Sequence, residues 1–124
     1  MPIVRAVAFT IVTTLSCTGQ AQPIPVAGTP IAVGQGKPYD LVANCLMRQM
    51  AGRQFAAWPL VYAPPRQEAL VNLWIRGREH ENPIGVFHVV QNADGTTQVS
   101  FRGSQDQPGL SPDVIAAAAR RCTR

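Results

Sequence analysis

The chain has 124 residues and a formal net charge of +4, a length typical of one domain rather than several. Its hydrophobic content of 46% is ordinary for a globular protein, and no apolar run beyond the N-terminus is long enough to span a bilayer as a helix. Nearly all of its basic residues are arginine, which reflects either recognition of planar anions or a GC-rich genome. No basic cluster is interleaved with aromatic residues, which argues against nucleic-acid binding.

The N-terminus has the pattern of a secretory signal peptide. Arg5 supplies a positive charge, and the mostly apolar residues 6–15 have the length of a signal-peptide core. Gly19 and Ala21 occupy the small positions of a cleavage site. We therefore predict a signal peptide over 1–21 and a periplasmic or secreted mature protein.

Lipidation is an alternative fate for this segment. Cys17 follows a small residue, as in outer-membrane lipoproteins, although Thr14 stands where such sites have an apolar residue. A third alternative is an uncleaved anchor or no export. Both cleavage after residue 21 and lipidation remove Cys17 from the free thiols, leaving Cys45 and Cys122 as a pair in an oxidising compartment. We expect these two to form a disulfide bond.

Residues 22–37 are rich in proline and glycine. Such composition favours an extended, flexible arm over a packed element. The β propensity of residues 31–33 supports an alternative, in which a short edge strand is added to the domain.

The folded domain is predicted to span 38–124 and to begin with a helix. Asp40 is a candidate N-cap and Gly52 a candidate stop. Leu41 and Cys45 fall on the apolar half of this helix, with the polar residues mostly opposite.

The middle of the chain alternates as antiparallel strands do. Residues 55–62 form a strand that Pro59 restricts to a sheet edge or a bulge, and residues 69–77 form a stronger one. Residues 85–92 and 96–103 flank Asp94 and Gly95, a pair typical of a hairpin turn. In that hairpin Phe87 and Val89 would share a face, and so would Val99 and Phe101 on the partner strand.

The last predicted element is a helix beginning after Ser111. Ser111 is the N-cap, Pro112 is the first helical residue and Asp113 suits the positive first turn. Four consecutive alanines favour the helix. Val114 and Cys122 fall within its apolar arc.

These elements predict an α+β fold, in which an N-terminal and a C-terminal helix pack on one face of a small antiparallel sheet of three to four strands. The predicted disulfide would join the two helices. It would close a loop of nearly the whole domain, worth roughly 4 to 4.5 kcal/mol in the chain-entropy model.

No motif of a known hydrolase, zinc site, phosphate-binding loop or redox pair occurs. His80 and His88 lie within ten residues of Glu79 and Glu81, but their spacing and their mix of loop and strand fit a solvated loop better than a metal site. We expect no metal, no cofactor and no catalytic residue.

A sheet covered by helices on one face would leave apolar side chains exposed on the other. The candidate partner surface is Trp58, Leu70, Trp74, Arg76 and Arg78. A strand register shifted by one residue would instead bury the aromatic residues of this surface.

The expected function is that of a non-enzymatic exported module, a monomer or weak homodimer, that binds a protein or cell-envelope component. One alternative is a small envelope hydrolase that uses His80 or His88. Another is a structural outer-membrane lipoprotein lipidated at Cys17.

Overall fold

The computed structural model describes residues 30–103 and 107–124. The predicted signal peptide over 1–21, Cys17 and most of the predicted arm lie outside the described residues. The elements, in chain order, are β1 (Ala32–Gln35), α1 (Tyr39–Met50), β2 (Phe55–Val61), β3 (Glu68–Ile75), β4 (Gly85–Gln91), β5 (Thr96–Gly103) and α2 (Pro112–Thr123).

The strands form one antiparallel sheet in the order β1-β5-β4-β3-β2. Helix α1 packs against β2, β3 and β4, and α2 packs against β1, β5 and α1. Both helices lie on the same face, so the predicted α+β architecture is confirmed. Strand β2, which contains Pro59, lies at one edge of the sheet, as the proline predicted.

The predicted count of three to four strands is wrong, because the sheet has five. The additional strand is β1, which lies within the segment 22–37 predicted as a flexible arm and corresponds to the edge strand considered as the alternative. It pairs with β5, with Ala32 opposite Val99 and Gly34 opposite Thr97. Glycine is required at position 34, because a Cβ there would overlap the backbone carbonyl of Thr123 in α2.

The N-cap of helix α1 lies two residues before the candidate N-cap, Asp40. Pro38 is the N-cap, no side chain caps the helix, and Asp40 lies in the first turn, where a carboxylate suits the helix dipole. The helix ends at Met50, and the backbone of its C-cap residue, Ala51, is extended. Leu41 was predicted on the apolar half but is 54% exposed, so the sheet and α2 cover a narrower arc of α1 than expected.

The hairpin between β4 and β5 has the predicted turn. Gly95 has a φ of 92°, which favours glycine, and Asp94 Oδ1 accepts hydrogen bonds from the backbone N–H and hydroxyl of Thr96. The predicted face-sharing is also observed, since Phe87, Val89 and Val99 are all fully buried in the core. Phe87 pairs with Phe101, and their ring centroids lie 4.9 Å apart in an edge-to-face arrangement.

Helix α2 has the predicted N-terminus. Ser111 Oγ accepts a hydrogen bond of 3.3 Å from the backbone N–H of Val114, and proline follows the cap. Ile115, Ala119 and Cys122 are buried, whereas Val114 is 44% exposed and lies outside the buried arc.

The predicted disulfide between Cys45 and Cys122 is present, with 5.5 Å between the two Cα atoms. It links the middle of α1 to the last turn of α2. Arg121 adds a hydrogen bond of 2.8 Å to Gln49 between the same helices.

A single core lies between the helices and the sheet. Its largest fully buried side chains are Phe87, Leu46, Leu73, Leu110, Val42, Val71, Val89 and Val99. Neither helix in the described part of the chain has the length and apolarity needed to cross a membrane.

Candidate partner-binding face

The sheet face opposite the helices carries the candidate site. Side chains alternate between the two faces of a strand, so the buried Ala57, Val71 and Phe87 point to the core and their neighbours point away. We define the open face by the side chains that point away from the helices on the three strands β2, β3 and β4: Ala56, Trp58, Leu60, Glu68, Leu70, Asn72, Trp74, Val86, His88 and Val90.

The apolar part of the open face lies on β2 and β3. The register places Trp58 opposite Asn72 and Leu60 opposite Leu70. Trp58 is 69% exposed and Leu60 48% exposed, which are high values for large apolar side chains. Leu70 is half-buried between its neighbours.

Trp74 borders this apolar area and is half-buried. It lies opposite Ala56, and its indole Nε1–H donates a 2.9 Å hydrogen bond to the backbone carbonyl of Glu81 in the β3–β4 loop. The polar atom of Trp74 is therefore satisfied within the chain, and its ring remains part of the open face.

Arg76 and Arg78 lie in the loop that follows β3. Arg76 Nε donates a 2.7 Å hydrogen bond to the carbonyl of Gly52, and its guanidinium also reaches the carbonyl of Phe55. Arg78 pairs with Glu81 at 3.2 Å. Arg76 thus fastens the α1–β2 connection, and it lines one cavity together with Ala56 and Trp58.

A polar cluster, which the sequence analysis missed, occupies the end of the open face nearest the β2–β3 turn. His88 Nε2 and an Arg66 N–H both lie 3.2 Å from the same oxygen of Glu68. The Arg66 guanidinium lies 3.8 Å from the ring centroid of Tyr62, a cation–π contact. The signal for this cluster was the strand register, since residue 88 pairs with residue 70, next but one to Glu68.

The carboxyl group of Glu68 has a lowered pKa. Partial burial acts to raise the pKa, but hydrogen bonds from His88 and Arg66, together with their charges, outweigh it. Glu68 is therefore held in its ionised form between two donors, and the cluster is a satisfied polar network.

His80 lies elsewhere, at an exposed loop position 3.8 Å from Glu81. In the described part of the chain, no group of three or more histidine, cysteine, aspartate or glutamate residues is placed to hold a metal ion. Ser100 is the cross-strand neighbour of His88, so of the two histidines only His88 has both a carboxylate and a hydroxyl residue adjacent in the sheet.

Comparison with known proteins gives no match: no family model, no curated protein and no solved structure is significantly similar to this chain. The disulfide indicates an oxidising, non-cytoplasmic location. The case for function therefore depends on the geometry of the open face.

Proposed function

We propose that this protein is an exported, non-enzymatic binding module whose open face docks a protein or cell-envelope partner. The observation that carries the proposal is the exposure of Trp58 and Leu60 side by side on β2. Exposed apolar surface of this kind costs free energy in water and is typical of interaction sites. Tryptophan in particular is enriched among the residues that dominate binding energy.

The covalent scaffold supports the same function. The disulfide and the single core hold the helices on one side of the sheet, leaving the other side available without rearrangement. A preorganised surface loses less conformational entropy on binding than a flexible one. We further propose a periplasmic or secreted location, which the predicted signal peptide supports.

Site-specific photocrosslinking tests the proposal in the native host. A photoreactive phenylalanine analogue replaces Trp58 in one variant and Val114, which is 44% exposed on α2, in a matched control. We expect a discrete crosslinked species from position 58 and none from position 114. Equal products from both positions, or none from position 58, would contradict the proposal.

The affinity of each variant for the captured partner then measures how much the open face contributes to binding. We expect Trp58→Ala to weaken binding by about tenfold or more, as for the dominant residues of an interface. The free energy of unfolding should change by less than about 0.5 kcal/mol, because the side chain is largely exposed. The hydrolase alternative is tested in parallel with His88→Gln and His80→Gln. A hydrolase that uses one of these histidines would lose activity only in the variant that replaces it, whereas a binding module keeps its partner in His80→Gln, because His80 lies in a loop outside the open face.

A further inference from the structure

The outer edge of β1 has backbone N–H and C=O groups that form no hydrogen bond with any described residue. The backbone N–H of Asn92 donates to the carbonyl of Thr96 at 2.8 Å, so Thr96 bonds toward β4. Bonding alternates along an antiparallel strand, so Thr97 bonds toward its β1 partner, Gly34. It follows that the N–H and C=O groups of residues 33 and 35 point away from the sheet.

This edge is accessible among the described residues. Val33 is 56% exposed and Gln35 is also exposed. No backbone hydrogen bond between described residues reaches the outer side of β1. An unpaired strand edge of this kind is a template for another extended chain.

A groove runs beside the same edge. One wall is residues 31–33 of the β1 segment, and the other is the last turn of α2, with Arg120, Thr123 and Arg124. The close approach of Thr123 to Gly34 holds this turn over β1 on the helix side of the sheet. The strand edge and the two arginines therefore border one binding surface.

The two arginines give the groove its charge. Both are exposed, and the ion pairs among described side chains do not involve either of them. Their two positive charges exceed the combined negative charge of the α-carboxylate at Arg124 and of the helix C-terminus, which carries about one half of a unit charge, so the groove is weakly positive. The groove therefore favours an anionic ligand.

We propose that this groove binds an extended, acidic peptide segment of another protein, which adds to β1 as a sixth strand. Alternate side chains of the added strand would face Arg120 and Arg124 and carry carboxylates, and the side chains between them would lie beside Val33 and be apolar. Main-chain hydrogen bonds to residues 33 and 35 supply affinity, and the alternating side chains supply specificity. A second copy of this chain fits less well, because pairing two β1 strands brings both arginine pairs together.

The test uses the full oxidised chain and a short capped peptide of alternating valine and glutamate. We expect titration to shift the backbone amide resonances of Val33 and Gln35 and to slow their hydrogen exchange. Arg120→Glu combined with Arg124→Glu should weaken binding roughly tenfold, the effect of losing two partly exposed charge pairs. The matched control is Arg48→Glu with Arg53→Glu, which makes the same change of charge at exposed positions on and after α1.

Three results would overturn the proposal. The first is the absence of saturable binding. The second is equal binding of a peptide whose valine nitrogens are methylated, since methylation removes the donors that a strand needs. The third is an equal loss of affinity in the control variant, which would indicate attraction by net charge alone. Amide spectra of both double variants without peptide verify that each is folded. If the variant with Arg120→Glu and Arg124→Glu is unfolded, it is replaced by Arg120→Gln with Arg124→Gln. The control is then Arg48→Gln with Arg53→Gln.

Discussion

At the scale of single residues, Glu68 is the most constrained charged group of the open face. Its carboxylate receives both His88 and Arg66 on one oxygen, and its side chain is 22% exposed. Partly exposed ion pairs are screened by solvent, so each contributes little to stability on its own. The arrangement nevertheless links stability to pH, because it lowers the pKa of Glu68.

The sign of this linkage follows from the lowered pKa. Above the pKa that glutamate has in the unfolded chain, Glu68 is ionised in both states and its hydrogen bonds stabilise the fold. As the pH falls through the lower pKa of the folded state, the carboxylate is protonated and that stabilisation is lost. Glu68→Gln should therefore reduce stability at neutral pH by about 0.5 to 1 kcal/mol and should lose less stability than the wild type on acidification.

Urea denaturation at neutral and acidic pH measures this difference. The matched background is His88→Ala, which removes one of the two donors to Glu68. In that background the effect of Glu68→Gln at neutral pH should be smaller. An unchanged effect would mean that His88 does not contribute to holding the carboxylate.

A residue of the candidate site could be predicted when its position depends on its neighbours in sequence, and could not be predicted when its position depends on distant parts of the chain. Alternation alone assigned Leu70 and Trp74 to one face, because successive side chains of a strand point to opposite sides. The hydrogen bonds of Arg76 to loop carbonyls and the meeting of Glu68 with His88 depend on loop geometry and strand register. Loop geometry and strand register cannot be predicted from the residues adjacent in sequence.

At the scale of elements, α2 could be predicted from local residues, whereas β1 could not. Helix α2 was predicted because Ser111 and Pro112 act on the residues that immediately follow them. Strand β1 was assigned to an arm because its stability comes from β5 and α2, which lie far away along the chain. A four-residue strand between proline and glycine residues carries a weak local signal of its own.

The disulfide is the main link between the two helices. The sequence separation of Cys45 and Cys122 is 77 residues, and closing a loop of that size in the unfolded chain is worth about 4.5 kcal/mol in the chain-entropy model. Domains of this size have net stabilities of roughly 5 to 15 kcal/mol. The disulfide therefore supplies a large fraction of this stability. It fastens a helix whose buried side chains are mostly small: Ile115, Ala118, Ala119, Cys122 and Thr123.

Replacing both cysteines by alanine should lower the free energy of unfolding by about 4 kcal/mol. Urea denaturation of the oxidised wild type and the double variant measures the difference, and reduced wild type is the matched control because it retains both side chains. Should the double variant be unfolded in water, both proteins are compared in sucrose, which favours the folded state. A loss below about 1 kcal/mol would contradict a constraint on the unfolded chain.

At the scale of the whole molecule, the disulfide and the N-terminal pattern point to the same compartment. A bond between Cys45 and Cys122 persists where thiols are not kept reduced, and residues 1–21 are predicted to be a signal peptide that directs export. The third cysteine, Cys17, distinguishes two predicted ways in which the N-terminal segment is processed. Cleavage after Ala21 removes Cys17 with the signal peptide, whereas lipoprotein processing leaves it as the acylated first residue.

The intact mass of the protein isolated from its native host distinguishes these fates. We expect the mass of a chain that begins at residue 22 and has no lipid, because Gly19 and Ala21 fit the cleavage site better than Thr14 fits a lipoprotein signal. Alkylation of the unfolded protein should add nothing before reduction and two groups after it, since both remaining thiols are joined. A mass that includes acyl chains on Cys17 would assign the protein to the lipoproteins, and a mass that retains residues 1–21 would contradict export by cleavage.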